Sequence, residues 1–419
     1  MKNSLIYNYR ILLLYFACFI IFAFTIDTPI SIFTGLKNII LQPDILITDY
    51  LEISGIGASF VNSATLCIIY ILILIRLKVK LSGSIVAGLF TVCGFSLFGK
   101  NLLNVWPLFL GTWLYSKYQK EPFSKYILVA LFGSTLSPAV SQLSFSGHFE
   151  TSTGLIIGIS LGIFMGFILP PISSYCLKMH EGFNLYNSGF AAGLVGTFIM
   201  SILRSFGINF EQRLLWSTKY TTVLLIFLSI LFLSMILVGF CLNDFSFKNL
   251  DKIYKHSGKP NSDYYLIYGE GSSFINMGIL GLIFMVYILI VDGPLNGPII
   301  AGIFTIVGFG AFGKHFKNTI PIVLGTVIAG ILNIWSINSP SMLLATLFST
   351  TLAPISGYFG PIYGVIAGFL HTCIVMNIGH LHAGLNLYNN GFSGGFVAII
   401  LIPIITNLKK VDTQNELQL

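Results

Sequence analysis

Residues 94–107 read GFSLFGKNLLNVWP, and residues 308–321 read GFGAFGKHFKNTIP. The two stretches stand 214 residues apart and carry Gly, Phe, Lys, Asn and Pro at corresponding places. The match extends upstream in the same register: Ser59, Phe60 and Asn62 return as Ser273, Phe274 and Asn276, and Ala87, Gly88, Phe90 and Thr91 return as Ala301, Gly302, Phe304 and Thr305. Downstream, LFGSTLSP (131–138) matches LFSTTLAP (347–354), and HEGFNLYNSGF (180–190) matches HAGLNLYNNGF (382–392). Apolar composition alone does not restore Lys, Asn, Pro and Gly to matching positions. The chain is a duplication, and in a membrane protein a duplication points first to a transporter or channel.

The membrane assignment rests on composition. Of 419 residues, 55% are hydrophobic and only 9% charged, with a mean hydropathy of +0.86, so the chain cannot cover itself with a water-facing surface. Lipid is its expected solvent. The formal net charge of +7 therefore reports topology rather than nucleic-acid binding. The six cysteines stand singly, without CxxC or a His at ligand spacing, and read as buried free thiols. The run after Arg10, apolar to about Ile30, is too long for an ordinary signal-peptide core and reads as a first span.

The expected fold is an all-α polytopic transmembrane helix bundle with short or broken helices. At about 20 residues per span, spans are expected over 11–30, 56–76, 83–99, 103–117, 125–143, 153–176, 187–206, 219–242, 272–291, 297–313, 319–335, 341–357, 361–379 and 387–407. That makes about fourteen, two inverted repeats of seven, because an odd number per copy turns the second copy upside down. Were 83–117 and 297–335 re-entrant hairpins, two spans would vanish from each copy and the inversion would remain. With both termini cytoplasmic, only Lys37, Lys100, Arg204, Arg213 and Lys219 fall outside, so about seventeen of twenty-two cations, Lys410 among them, obey the positive-inside rule.

This divides the chain into a first membrane repeat (1–210), the first span of the second (211–242), a cytoplasmic linker (243–271) and the remainder of the second repeat (272–419). The external stretch 31–55 leaves room for a short interfacial helix. The linker is polar and basic, and reads as a solvated loop whose four lysines could reach anionic headgroups. GxxxxGK[ST] is absent, which argues against ATP-driven transport by this chain alone.

Three duplicated motifs carry the candidate chemistry. In the first, short apolar segments flank Gly-Lys and end at Asn and Pro. Broken segments at matching positions expose backbone groups able to coordinate solute. Lys100, Asn101, Asn104, Lys314 and Asn318 are its candidate solute-binding residues, with the lysines offering charge to an anion. The alternative, favoured by the positive-inside fit of Lys314, puts both lysines in turns at opposite surfaces. In the second motif, Asn184, Tyr186, Asn187, Asn386, Tyr388 and Asn389 either cap helix starts or offer amides to a polar solute. His180 and His382 are candidate gating groups, with a place at the membrane interface as the preferred reading. The third motif, STLSP (134–138) with TTLAP (350–354), suggests a proline-broken helix with Thr135 and Thr351 as solute or carbonyl partners. The run GLIIGISLGIFMG (154–166) reads as a close-packing face.

The duplicated FGKN, TLSP and GFNLYN blocks resemble a bacterial family of integral membrane proteins known only as a domain of unknown function. The likeness spans most of the chain and implies a cell-membrane location, but no substrate. GIGASFVNSATLCIIYILIL (55–74) and GFNLYNSGFAAGLVG (182–196) are also similar to segments of urea-transporter-like proteins, which use inverted repeats. The two segments lie much further apart here, so no urea-site residue is carried over.

Transport of a small polar or anionic solute between the copies is the preferred reading, with no cofactor or metal expected. A urea-like facilitator for a neutral solute is one alternative. The other is a membrane-embedded enzyme using His180, Glu181 and His382, although polar residues repeated in both copies fit a single asymmetric active site poorly. Na⁺ and H⁺ are the candidate coupling ions. The absence of Asp or Glu from span centres favours Na⁺ or passive movement, and a homo-oligomer is compatible with the sequence.

Overall fold

The computed structural model describes residues 2–409, so Lys410, assigned above to the cytoplasmic side, lies outside the described residues. These are helical, with no strand among them. The first copy comprises α1 (Lys2–Ile26), α2 (Pro29–Ile40), α3 (Tyr50–Arg76), α4 (Gly83–Phe95), α5 (Trp106–Tyr118), α6 (Ile127–Gly133), α7 (Ser137–Phe145), α8 (Thr151–His180) and α9 (Asn187–Ser205). The second comprises α10 (Thr221–Leu242), α11 (Leu250–Ile253), α12 (Tyr264–Ile290), α13 (Gly297–Phe309), α14 (Phe316–Leu332), α15 (Pro340–Ser349), α16 (Ala353–Phe359), α17 (Pro361–Ile378) and α18 (Asn389–Lys409).

Ten helical runs among the described residues are long and apolar enough to cross a membrane, five in each copy. The other four expected spans fall on 83–117 and 297–335, where α4, α5 and α13 have 13 residues each and α14 has 17. Thirteen residues make a helix of about 20 Å, short of an apolar layer of about 30 Å. Ile226, Ile230, Leu233 and Leu237 of α10 form an exposed apolar stripe at helical spacing, as expected of a lipid-facing surface.

The two copies repeat one another in detail. Gly55 and Gly269 break α3 and α12 at the same point with φ of 74° and 86°, and Gly99 and Gly313 turn the chain with φ of 84° and 88°. At STLSP and TTLAP, a 3₁₀ turn (Ser134–Leu136, Thr350–Leu352) separates α6 from α7 and α15 from α16. This is the expected break, with the proline in the first turn of the following helix.

Every residue of α13 is buried, as is every residue of α4 but Ser84, and the two lie against each other at the centre. Gly94 packs on the Ala301 backbone while Gly308 packs on Ala87, so these equivalent helices run antiparallel. Phe90 meets its own counterpart Phe304 with ring centroids 6.1 Å apart. The starts of both helices are held across the copies. Asp263 accepts from the Gly83 N–H at 3.0 Å, and Asp49 accepts likewise from Gly297.

Glycine sets the approach of the outer helices. A Cβ on Gly166 would lie 2.1 Å from the Leu108 carbonyl oxygen, and one on Gly368 would lie 2.0 Å from that of Ile322. Gly154, Gly158 and Gly162 make similarly close approaches to α7 and Pro107, so the 154–166 run is a packing face. Gly166→Val is expected to cost about 1–3 kcal/mol or more through overpacking. An unchanged melting temperature would contradict this contact.

The linker departs from expectation. It yields to α12 at Tyr264, and its tip is threaded into the bundle rather than solvated. The His256 carbonyl contacts His315 Nε2 at 2.9 Å, the Ser257 carbonyl accepts from Asn318 Nδ2 at 3.5 Å, and the Lys259 ammonium stands 4.5 Å from the Phe183 ring. Lys248, Lys252 and Lys255 remain exposed. All six cysteines are free; Cys67, Cys93 and Cys176 are buried, whereas Cys18 and Cys241 are exposed, contrary to the uniform burial expected.

Candidate solute site

The site begins at the turns after α4 and α13. Gly99 and Gly313, in a region open to glycine, let the Lys100 and Lys314 N–H groups reach back to the Phe95 and Phe309 carbonyls at 3.1 and 3.0 Å. An asparagine from the preceding long helix clamps each turn. Asn62 Nδ2 donates to the Ser96 and Lys100 carbonyls at 2.7 and 2.9 Å, and Asn276 Nδ2 donates to those of Gly310 and Lys314 at 2.7 and 2.8 Å.

Both lysines are fully buried, which overturns the reading that put them in surface turns. Lys100 Nζ donates to the Tyr388 hydroxyl at 2.5 Å, and Lys314 Nζ donates to the Tyr186 hydroxyl and to Thr350 Oγ1, the latter at 2.7 Å. Each ammonium also stands over the ring of its tyrosine, at 4.6 and 4.4 Å. Their partners are hydroxyls, and neither buried lysine is paired with a carboxylate, unlike the lysines of the pairs Lys125–Glu121, Lys219–Glu52 and Lys248–Asp244.

The tyrosines come from the opposite copy. Ahead of α18, Leu387 N–H and Tyr388 N–H donate to the Thr135 carbonyl and Oγ1 at 3.1 and 2.9 Å, and Thr135 Oγ1 donates to Asn386 Oδ1 at 2.9 Å. Ahead of α9, Leu185 and Tyr186 make the same bonds to Thr351, whose hydroxyl donates to Asn184 Oδ1. Asn184 Nδ2 reaches the Gly391 carbonyl at 3.0 Å and Asn386 Nδ2 that of Gly189 at 3.1 Å. The starts of α9 and α18 are thereby locked together, and Gly189 packs on the Gly391 backbone.

Between these elements lies a cavity of about 230 Å³. Paired residues from both copies line it: Thr91 with Thr305, Phe95 with Phe309, and Tyr186 with Tyr388. It is nevertheless one-sided. Ser84, Ser173 and Asn187 of the first copy and Pro260 of the linker line it, whereas the counterparts Pro298, Val375 and Asn389 do not.

Of the residues singled out from sequence, Asn184, Tyr186, Asn187 and Tyr388 line the cavity. Lys100, Lys314, Thr135, Thr351 and Asn386 stand directly behind it through the bonds above. Asn101 and Asn104 turn away to Asp44, and Asn318 to the Gly313 and Ser257 carbonyls. His180 and His382 are buried, each with Nε2 at 2.9 Å from the Asn seven residues on, Asn187 or Asn389. Glu181 is exposed. No group of three or more His, Cys, Asp or Glu is placed to hold a metal among the described residues. Asn62, Asn276, Thr91, Thr305, Phe95, Phe309 and Asp44 escaped the sequence reading of the site, although all but Asp44 recur in both copies and so carried a signal.

The family model described as "Protein of unknown function (DUF1576)" matches residues 28–205 and 242–407, one match on each copy. The chain belongs to this family. No curated protein and no solved structure matches it.

Proposed function

Starting from a duplicated, lipid-solvated member of that family, we propose that the protein is a transporter moving a small organic anion with an apolar body, bound between two inverted copies. The observation that carries this reading is the pair of buried lysines without carboxylate partners, each presented through a tyrosine to one central cavity. A buried ammonium lacking a counter-charge is costly, and an anion entering the cavity would supply that charge. The aromatic pairs around it suit an apolar body.

Inversion of the copies is supported by the antiparallel run of α4 and α13 and by the five long apolar helices per copy. With the basic linker cytoplasmic, as its charge suggests, the cavity is biased toward the cytoplasm. Such a skew is what one state of an alternating-access cycle requires. A neutral, urea-like solute is the second reading, because each lysine is already bonded to a tyrosine and the lining is mostly apolar with a few amides and hydroxyls.

The test is a thermal-shift and calorimetric screen of the purified protein against small monocarboxylates, inorganic anions and urea. Stabilisation by an anion, lost in Lys100→Met or Lys314→Met, is expected. Stabilisation by urea alone, indifferent to both substitutions, would replace the anion reading with the second. The one-sided lining adds a comparison. Asn187→Ala is expected to weaken binding about tenfold, or about 1.4 kcal/mol, whereas Asn389→Ala, outside the cavity, should change it much less. Equal losses would contradict the skew.

A further inference from the structure

Asp44 lies in the non-helical segment between α2 and α3 and is completely buried. Its Oδ2 accepts from Asn101 Nδ2 at 2.9 Å, Asn104 Nδ2 at 3.0 Å and Ser141 Oγ at 3.0 Å. Its Oδ1, equally buried, makes no hydrogen bond. The groups facing it are Asn101 and Asn104 from the turn before α5, Ser141 and Gln142 from α7, and the Tyr50 hydroxyl from α3, none of them cationic. The Lys100 ammonium is directed to Tyr388, Lys37 is exposed, and Asp49 is occupied by the Leu51 and Ser217 N–H groups.

The second copy shows that the fold does not need this acid. There the counterparts of Asn101 and Asn104 are His315 and Asn318, and they meet the backbone carbonyls of His256 and Ser257. Neutral carbonyls satisfy the same turn. Almost every other polar contact of the site is reciprocated between copies, whereas Asp44 stands in the first alone. Burying a carboxylate with no cation beside it is unfavourable unless the group takes up a proton.

We propose that Asp44 is the proton-binding site of the transport cycle, accepting a proton from water on Oδ1 as the acid forms and returning it to water on the other side as the carboxylate is regenerated. This rests on the transporter reading. The link to the solute cavity is short. Asn104 Nδ2 also holds the Gly99 carbonyl at 3.1 Å, and Ser137 Oγ donates to that carbonyl at 3.0 Å, so two of the three donors of Asp44, Asn101 and Asn104, belong to the turn that carries Lys100, and the third, Ser141, lies on the helix whose Ser137 is bonded to that turn. Burial pushes the Asp44 carboxyl up to about 7, where proton exchange is available near neutral pH. The native acid then holds its proton more tightly than the unfolded one, so this part of the stability is present at acid pH and is lost as pH rises through about 7.

The test is infrared titration of the detergent-purified protein, alongside melting temperatures over the same pH range. The wild type is expected to show a protonated-carboxyl band that disappears as pH rises, absent in Asp44→Asn and shifted in frequency in Asp44→Glu. Its melting temperature should fall as pH rises from about 4 to about 7 and level off once the band has disappeared, and that fall should be lost in Asp44→Asn. A wild-type spectrum unchanged by Asp44→Asn, or a titrating band unshifted in Asp44→Glu should the first variant fail to fold, overturns the site. Proteoliposomes loaded with a pH-sensitive dye and given small monocarboxylates form the second arm. Wild-type vesicles should move protons on solute addition and Asp44→Asn vesicles should not. A titrating Asp44 with no such flux overturns the coupling and counts against the transport reading, whereas no titration overturns the proton site while leaving transport standing.

Discussion

Lys100→Met and Lys314→Met are expected to leave the protein folded while lowering anion affinity by about 2–5 kcal/mol, about 30-fold or more. The near-neutral effect on folding comes from opposing terms. Each substitution removes a buried ammonium with no carboxylate partner, which relieves a desolvation cost, but strands the hydroxyl of Tyr388 or Tyr186. Methionine keeps the length and apolar stem of the lysine, so packing against Phe95 or Phe309 is retained. Binding has no such compensation, because the anion loses its counter-charge in a site of low dielectric. Melting temperatures and calorimetric titration with the same monocarboxylate check both halves. Unchanged affinity would assign the lysines to the scaffold.

Asn276→Ala, and equally Asn62→Ala, is expected to cost about 2–5 kcal/mol of stability and to abolish solute binding as well. Each asparagine is buried and spans a turn by donating to two carbonyls, one of them that of the lysine itself. Truncation removes both bonds and leaves a void where water cannot readily substitute. The lysine then loses its fixed backbone, which separates this variant from Lys100→Met or Lys314→Met. Thermal denaturation of the two variants, measured together, should give losses agreeing within about 1 kcal/mol, since the copies use the same geometry. A loss confined to one copy would show that the two turns are not equivalent.

Much of the scaffold was legible because glycine, proline and hydropathy act locally. The spans read at 56–76 and 272–291 begin just past the breaks at Gly55 and Gly269. The proline-broken helices stand where STLSP and TTLAP put them. Depth was less accessible. Residues 83–99 and 297–313 are apolar enough to span, and hydropathy could not register that the chain turns at Gly99 and Gly313 after about 20 Å. Lys314 satisfied the positive-inside rule as a surface residue, so its burial was disguised. Burial of His180 and His382 follows from pairing with an asparagine seven residues away, on the next helix. Asp44 was hidden for another reason. It sits in a polar stretch that reads as an outer loop, and its partners come from residues 57 to 97 positions away. The threading of the linker rests on backbone carbonyls, which composition does not reveal.

The most direct test of a single cavity between inverted copies is cysteine labelling at positions 91 and 305, in a variant lacking the native cysteines, with small and bulky membrane-impermeant reagents applied from each side. Thr91 and Thr305 are equivalent residues of the two copies and line the same cavity. The small reagent is expected to reach both positions from the linker side, slowly, and more slowly still when a binding anion is present. Labelling of the two positions from opposite sides by both reagents, unaffected by any anion, would put them on separate surfaces and contradict the shared site.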